Sequence, residues 1–436
     1  MTPKLETSDL RLPARPGLDP IRTSLDNGVV VIAKQTRKTP AVTLNLAMRA
    51  GSICDPPDAP GATNLLARVI DRGTTSRSAA EIADEIDSRG MSLTITVTRH
   101  VFSIVGSCLV EDFEAIFALL GDILMAPTIP ESELATRKGE VITAIRQDDD
   151  NPAVRAVEQL MELLYGDTHP YGRRLKGSVQ AVEAATRDRL LQLHAQRFAP
   201  GELAAVVVGD VESARVLEVA GRIFGGWRSA QPPPVPLPRV PPAAERRRVV
   251  IPMMNKAQAD IAYGFTTIPR TDPRYYAYWL MNNALGQYAL GGRLGDSIRE
   301  RQGMAYYVSS SFDGNVVEGP LVIRAGVGRA NVDRAIASID EELSRLRPEG
   351  LTPKELNESR QFLIGAMPRS LETNAGIASF LQIAEFFGLG LDYDRRLPGL
   401  LEAVTLDEVN QAAREAVDPS RATIVVAGPY EGRGIG

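Results

Sequence analysis

SAQPPPVPLPRVPPAAERRR, running from Ser229 to Arg248, decides how the chain is divided. Proline fixes φ and offers no amide hydrogen, so proline at this density cannot sit in a helix interior or a central strand. The stretch reads as a semi-rigid extended linker. It separates two similar lengths of chain, and the two resemble each other. ESELATRKGEVITA (Glu131 to Ala144) parallels PKELNESRQFLIGA (Pro353 to Ala366) at an offset of 222. TRDRLLQLHAQRFAPGELAAVVVGD (Thr186 to Asp210) parallels TLDEVNQAAREAVDPSRATIVVAGP (Thr405 to Pro429) at 219. SRGMSLTITVT (Ser88 to Thr98) parallels ERQGMAYYVSSS (Glu300 to Ser311) around Gly90-Met91 and Gly303-Met304, at 213. Three matches in one order, with offsets drifting by a few residues, indicate an internal duplication. The expected units are 1–230, a linker at 231–248, and 249–436.

The composition suits such a pair of domains. A chain of 436 residues exceeds one ordinary core. Hydrophobic residues make up 44% and charged residues 24%, a common globular balance. A net charge of −5, from 49 basic and 54 acidic residues, offers nothing to a polyanion, which argues against nucleic-acid binding. No run of about 18 apolar residues is present, so no membrane span is expected. Met1 to Pro20 is polar, with four prolines and no apolar signal core. That points to the cytoplasm, or to the periplasm where a signal has been removed. Cys54 and Cys108 fit no metal spacing and read as buried free thiols.

The β-branched and alternating stretches at Val29 to Lys34, Val42 to Ala50, Met91 to Thr98, Phe102 to Cys108 and Ala204 to Val208 predict strands. Their counterparts are Ala259 to Phe265, Ala305 to Phe312, Leu321 to Val327 and Thr423 to Ala427. Helical periodicity marks Ala79 to Ser88, Leu134 to Gln147 and Thr186 to Arg197. In the second half it marks Tyr275 to Gly286, Asn331 to Leu346 and Pro353 to Pro368. The expected class is α+β, two homologous domains that are each a sheet covered by helices on one face.

AGSICDPPDAPGATNLLARVIDRGT (Ala50 to Thr74) resembles the first-domain frame of the inverted-zincin peptidases, the family of pitrilysin, insulin-degrading enzyme and mitochondrial processing peptidase. Gly61, Gly73 and Thr74 match the glycine and glycine-threonine that flank HxxEH in that frame. The HPYG run at His169 to Gly172, the VVVGD strand ending at Asp210, and GRLGDSIRERQGMAYYV (Gly292 to Val308) extend the resemblance over nearly the whole chain. In HxxEH, two histidines four apart share one helix face and hold zinc, and the glutamate serves as base. Here the five positions read Asn64, Leu65, Leu66, Ala67 and Arg68, so both histidines and the base are absent. The resemblance puts the third ligand, a glutamate in the family, at Ala135. Arg68 would also set a permanent positive charge where a cation should lie. The only histidines are His100, His169 and His194, and no two stand three to five apart. No cofactor is expected in this chain, and no peptide hydrolysis by the chain alone.

What the resemblance retains is in the second half. IRERQGMAYYV resembles the family segment whose arginine and tyrosine stand seven apart, which assigns Arg299 and Tyr306. In the family that pair reaches across an enclosed chamber to bind the substrate carbonyl and its oxyanion at the zinc site. Guanidinium and phenol suit the task as donors. Taken alone, Arg299 reads as a solvated helix charge and Tyr306 as a packed strand residue. The resemblance implies a substrate-binding subunit whose partner is an HxxEH-bearing homologue carrying the zinc, with peptide as substrate. The alternatives are a structural or assembly subunit, and a stand-alone peptide-binding homodimer. His169 reads as structural, and Asp148 to Asp150 as a solvated helix cap.

Overall fold

The computed structural model describes residues 17–287 and 291–432. Eleven strands form two sheets among the described residues. The first contains β1 (Ile21–Ser24), β2 (Val30–Gln35), β3 (Ala41–Met48), β4 (Ser92–Val97), β5 (Phe102–Leu109) and β6 (Leu203–Gly209), in the order β1-β2-β6-β3-β5-β4. The second contains β7 (Arg247–Pro252), β8 (Ala259–Thr266), β9 (Ala305–Phe312), β10 (Pro320–Val327) and β11 (Thr423–Gly428), in the order β7-β11-β8-β10-β9. Apart from β1 the two orders coincide, down to the single parallel pair, β2 with β6 and β7 with β11.

Local details repeat as well. Gly90 and Gly303, 213 apart in sequence, both take a left-handed turn, with φ of 60° and 61°, ahead of β4 and β9. The helices Arg187–Arg197 and Leu406–Ala416 are capped by Thr186 and Thr405, whose hydroxyls accept from backbone amides three residues on. Asn151 and Thr373, 222 apart, cap the helices Pro152–Tyr165 and Asn374–Phe386.

Those last two helices change the expected layering. One face of the first sheet, with Val31, Ala33, Leu44, Leu46, Ala205 and Val207, packs on helices of its own half. The opposite face, with Ile32, Val206 and Val208, packs on Ile377, Ala378 and Leu381 of Asn374–Phe386, a helix of the other half. The second sheet is treated reciprocally: Ala262, Val322, Val425 and Ala427 meet Ala156, Leu160, Met161 and Leu164 of Pro152–Tyr165. Each sheet is therefore covered on both faces, once by its own helices and once by a helix from the other half. The expectation of one covered face is corrected. That is why β6 reads LAAVVVG and β8 is buried at all eight positions, where a half-solvated strand would alternate.

The linker lies along the surface, held by the His169 Nε2 contact to the Pro238 carbonyl at 3.1 Å and by Val240 N donating to Glu318 at 3.2 Å. Arg247 and Arg248, read from the sequence as its last residues, belong to β7. The helix expected at Tyr275 to Gly286 is α-helical over Tyr275–Asn282 and widens into a π turn at Asn283–Gln287. Asp148 to Asp150 close the helix Glu131–Asp149, with Asp149 and Asp150 exposed as expected, and each also makes an ion pair: Lys176 to Asp148 at 2.6 Å, Arg174 to Asp149 at 3.0 Å and Lys256 to Asp150 at 2.6 Å. Both cysteines are free and buried. Among the described residues no helix is long and apolar enough to cross a membrane.

Leu160 and Leu381 are fully buried in the two reciprocal contacts. Leu160→Ala and Leu381→Ala should each cost about 2–5 kcal/mol by opening a cavity. Because each leucine joins one half to the other's sheet, guanidinium unfolding should shift as a single transition without splitting into two.

Candidate functional site

The helix Ala62–Val69 starts at Gly61, which is left-handed at φ 88°, and is held at that end by Asp55. One Asp55 oxygen accepts from Gly61 N at 2.7 Å; the other accepts from Thr63 N at 2.7 Å and from its hydroxyl at 2.6 Å. Burial pushes the Asp55 carboxyl up to about 6, against the pull of these bonds. The helix bears a strong apolar side: Leu65, Leu66 and Val69 are buried in the core of the first half.

The positions that the resemblance aligns with HxxEH lie on this helix. Asn64 is half-buried, with a shielded Oδ1 that has no hydrogen-bond partner among the described residues. Ala67 is buried and Arg68 exposed. The neighbouring helix, Glu131–Asp149, presents Glu133, Arg137 and Glu140 toward Arg68, Asp71 and Arg72. A hydrogen bond from Arg137 holds the Glu140 carboxyl below its usual range, and the charges of Arg68 and Arg72 add to it. Spacing of three and four along this stripe leads next to Ala144. Ala135 is exposed and outside the stripe. Neither alanine has a donor atom, so the second helix offers no ligand at either position.

The three histidines are occupied elsewhere. His100 Nε2 is 2.5 Å from the Tyr171 hydroxyl. His169 Nδ1 accepts from Tyr171 N at 3.0 Å, and its ring stacks on Tyr165. His194 Nε2 is 2.8 Å from the Leu124 carbonyl. Burial lowers all three, His100 to about 4, so they are neutral structural groups. Among the described residues no group of three or more His, Cys, Asp or Glu is placed to hold a metal ion. The side chains present do not fit zinc.

Arg299 and Tyr306 flank the left-handed turn at Gly303. Arg299 lies in the π-helical stretch Gly295–Arg301, with a half-exposed side chain 3.8 Å from the Glu300 carboxylate. Its carbonyl accepts from Gly303 N at 3.0 Å. Tyr306 lies on β9, an edge strand, and is 66% exposed, far more than a packed strand tyrosine. Nothing in the run of residues around it signals the cause. Gly326 faces Tyr307 and Val327 faces Ala305, so Tyr306 is the extra residue of a β-bulge that turns its side chain out of the pleat.

The model described as Insulinase (Peptidase family M16) matches residues 30–177, and that described as Peptidase M16 inactive domain matches 184–363. The chain belongs to the M16 peptidase family, with two M16-like α+β domains. It is 26% identical over 416 residues to an uncharacterized zinc protease of Streptomyces coelicolor, covering 94% of this chain and 90% of that protein. It is 25% identical over 396 residues to one of Bacillus subtilis, covering 90% and 95%. A crystal structure titled as a peptidase M16 inactive domain, from Pseudomonas fluorescens, shares the fold with a TM-score of 0.88 at 24% identity, over 96% of this chain and 99% of that one. A protease structure from Helicobacter pylori aligns with a TM-score of 0.86 at 16% identity, over 95% and 100%.

Two outcomes follow from this geometry. Calorimetric titration of the tag-free chain with zinc should give no saturable one-to-one site, and Arg68→His alone should not create one, since Asn64, Ala67, Ala135 and Ala144 supply no complete ligand set. The second concerns pH. His100 is neutral in the fold and has an ordinary value of 6.5 when unfolded, so acid favours the unfolded chain as pH falls from about 6.5 to 4. Asp55 acts with the opposite sign over much of that window. His100→Gln should therefore lose less stability than wild type between pH 6.5 and 4, as read from denaturation midpoints at each pH.

Proposed function

We propose that this chain is the non-catalytic, substrate-binding subunit of a heterodimeric zinc peptidase. The partner, a homologue bearing HxxEH, carries the zinc and the general base. The observation that carries the reading is a contrast within one chain. The first half has an alanine, an asparagine and an arginine where the family holds metal and base, while the second half projects Tyr306 from a bulge beside a half-exposed Arg299. A tyrosine kept for packing would lie in the pleat.

In this reading Arg299 meets the substrate's carbonyl or carboxylate oxygens, since a guanidinium offers a fixed fork of donors. Tyr306 donates to the oxyanion that forms at the partner's site. Donors aimed at developing charge in an enclosed chamber act mainly on the transition state. The domain limits 1–230 and 249–436, with the linker between them, are part of the same proposal, each half giving one wall of a chamber that the partner closes.

Co-expression with HxxEH homologues from the same host, followed by gel filtration and a peptide-cleavage assay, tests it. Loss of one oxyanion donor costs about a hundredfold in turnover, less where zinc shares the charge. Tyr306→Phe should lower kcat and leave assembly and KM nearly unchanged. Arg299→Ala should also raise KM, because its charge meets the ground state. Wild-type cleavage by both variants in an intact dimer would make the pair structural and refute the proposal.

A further inference from the structure

The two halves repeat each other closely, but besides the extra strand β1 their sheets differ in the pairing at one edge. Between β4 and β5 the register runs unbroken from Ser92 facing Ser107 to Val97 facing Phe102. Between the corresponding strands β9 and β10 it shifts at Gly326 and Val327, which is where Tyr306 is expelled.

Three residues lie in one row across the sheet beside this bulge. Asp260 of β8 faces Gly326 of β10, and Gly326 faces Tyr307 of β9. Neighbouring strands are about 4.8 Å apart, so Asp260 and Tyr307 are separated by roughly 10 Å of sheet. Tyr307 spans that distance: its hydroxyl donates to Asp260 Oδ1, and its ring lies over Gly326. A Cβ on residue 326 would come within 2.5 Å of the ring, so only glycine leaves the ring its place. Asp260 is 2% exposed, and its second oxygen accepts from Gln258 Nε2 at 3.3 Å. Arg324 stands over the same ring at 6.0 Å from its centroid. Burial and the Asp260 carboxylate raise the Tyr307 phenol well above its usual value, which keeps it a donor.

A buried carboxylate reached across a glycine by the residue next to the bulge has a geometric consequence. It fixes where the bulge occurs and thereby the direction of the side chain expelled. We infer that Asp260, Gly326 and Tyr307 form a lock that aims Tyr306, with Tyr307 a positioning residue for peptide hydrolysis by the assembled pair. The inference rests on the role given to Tyr306 above. Tyr307 touches no substrate; it acts through its neighbour, and misplacing an oxyanion donor by an ångström is enough to slow the reaction.

The test is a double-mutant cycle in the reconstituted heterodimer, using Tyr306→Phe, Tyr307→Phe and the pair together. Tyr307→Phe should lower kcat by about tenfold or more with little change in KM. It should have no further effect when Tyr306 is already Phe, because its influence passes through that hydroxyl. Asp260→Ala should reproduce the loss. Asp260→Asn, which keeps an oxygen that accepts, should retain most of the rate. In the isolated chain, Tyr307→Phe should speed amide exchange at residues 305–308. Slow turnover with Tyr306→Phe but wild-type turnover with Tyr307→Phe overturns the lock alone. An undiminished Tyr307→Phe effect in the Tyr306→Phe background, or unchanged exchange, also overturns it. Full activity of Tyr306→Phe overturns the lock together with the reading beneath it.

Discussion

Everything else in this molecule depends on the reciprocal packing of two helices. Pro152–Tyr165 leaves its own half to cover the outer face of the second sheet, and Asn374–Phe386 does the same for the first. Each sheet would otherwise expose a face of valine, isoleucine and alanine to water, and burying a single Leu or Val side chain is worth about 1.5–3 kcal/mol. The exchange makes the halves parts of one body. It sets the relation between the Ala62–Val69 helix and the turn that carries Arg299 and Tyr306, with Leu237 and Val240 of the proline-rich linker packed against one of the two contacts.

On that shared frame the two copies have diverged in chemistry. In the first, the helix geometry of a metal site persists while its side chains do not. Asp55 still caps the helix, yet the face that should hold a cation offers Asn64 and Arg68. In the second, the corresponding helix, Tyr275–Asn282, is given to core packing, and the proposed donors stand on the turn and bulge that follow. The proposed division of labour with a partner subunit needs both changes: a cation site that cannot fill, and donors that point outward.

Much of this was legible in the sequence. The offsets of 222, 219 and 213 found repeated caps and turns, such as Thr186 and Thr405 or Gly90 and Gly303, because those positions are bound to local backbone geometry. The exchanged helices were not anticipated. The acidic end at Asp148 to Asp150 drew the reading, while the next two residues, asparagine followed by proline at the first helical position, form an effective helix start. A continuous apolar strand such as LAAVVVG signals that both faces are covered, but not by what. The bulge was hidden for a different reason. Tyr306-Tyr307 looks like two ordinary strand residues, and only the pairing with β10 reveals that one is surplus. Ala135 was placed by the resemblance alone, while the structure's stripe of Glu133, Arg137 and Glu140 runs on to Ala144.

The exchanged helices also suggest how such a chain came to exist. Two identical copies of the half-length unit, each lending a helix to the other's sheet, would form a swapped dimer with no stable monomer. Joining them in tandem needs only a tether from the end of one copy to the first strand of the next, and the proline-rich segment serves as that tether. Once fused, the copies no longer have to remain identical. A symmetric dimer must carry any new residue twice, but a fused one is free to lose a site on one side and gain a bulge on the other.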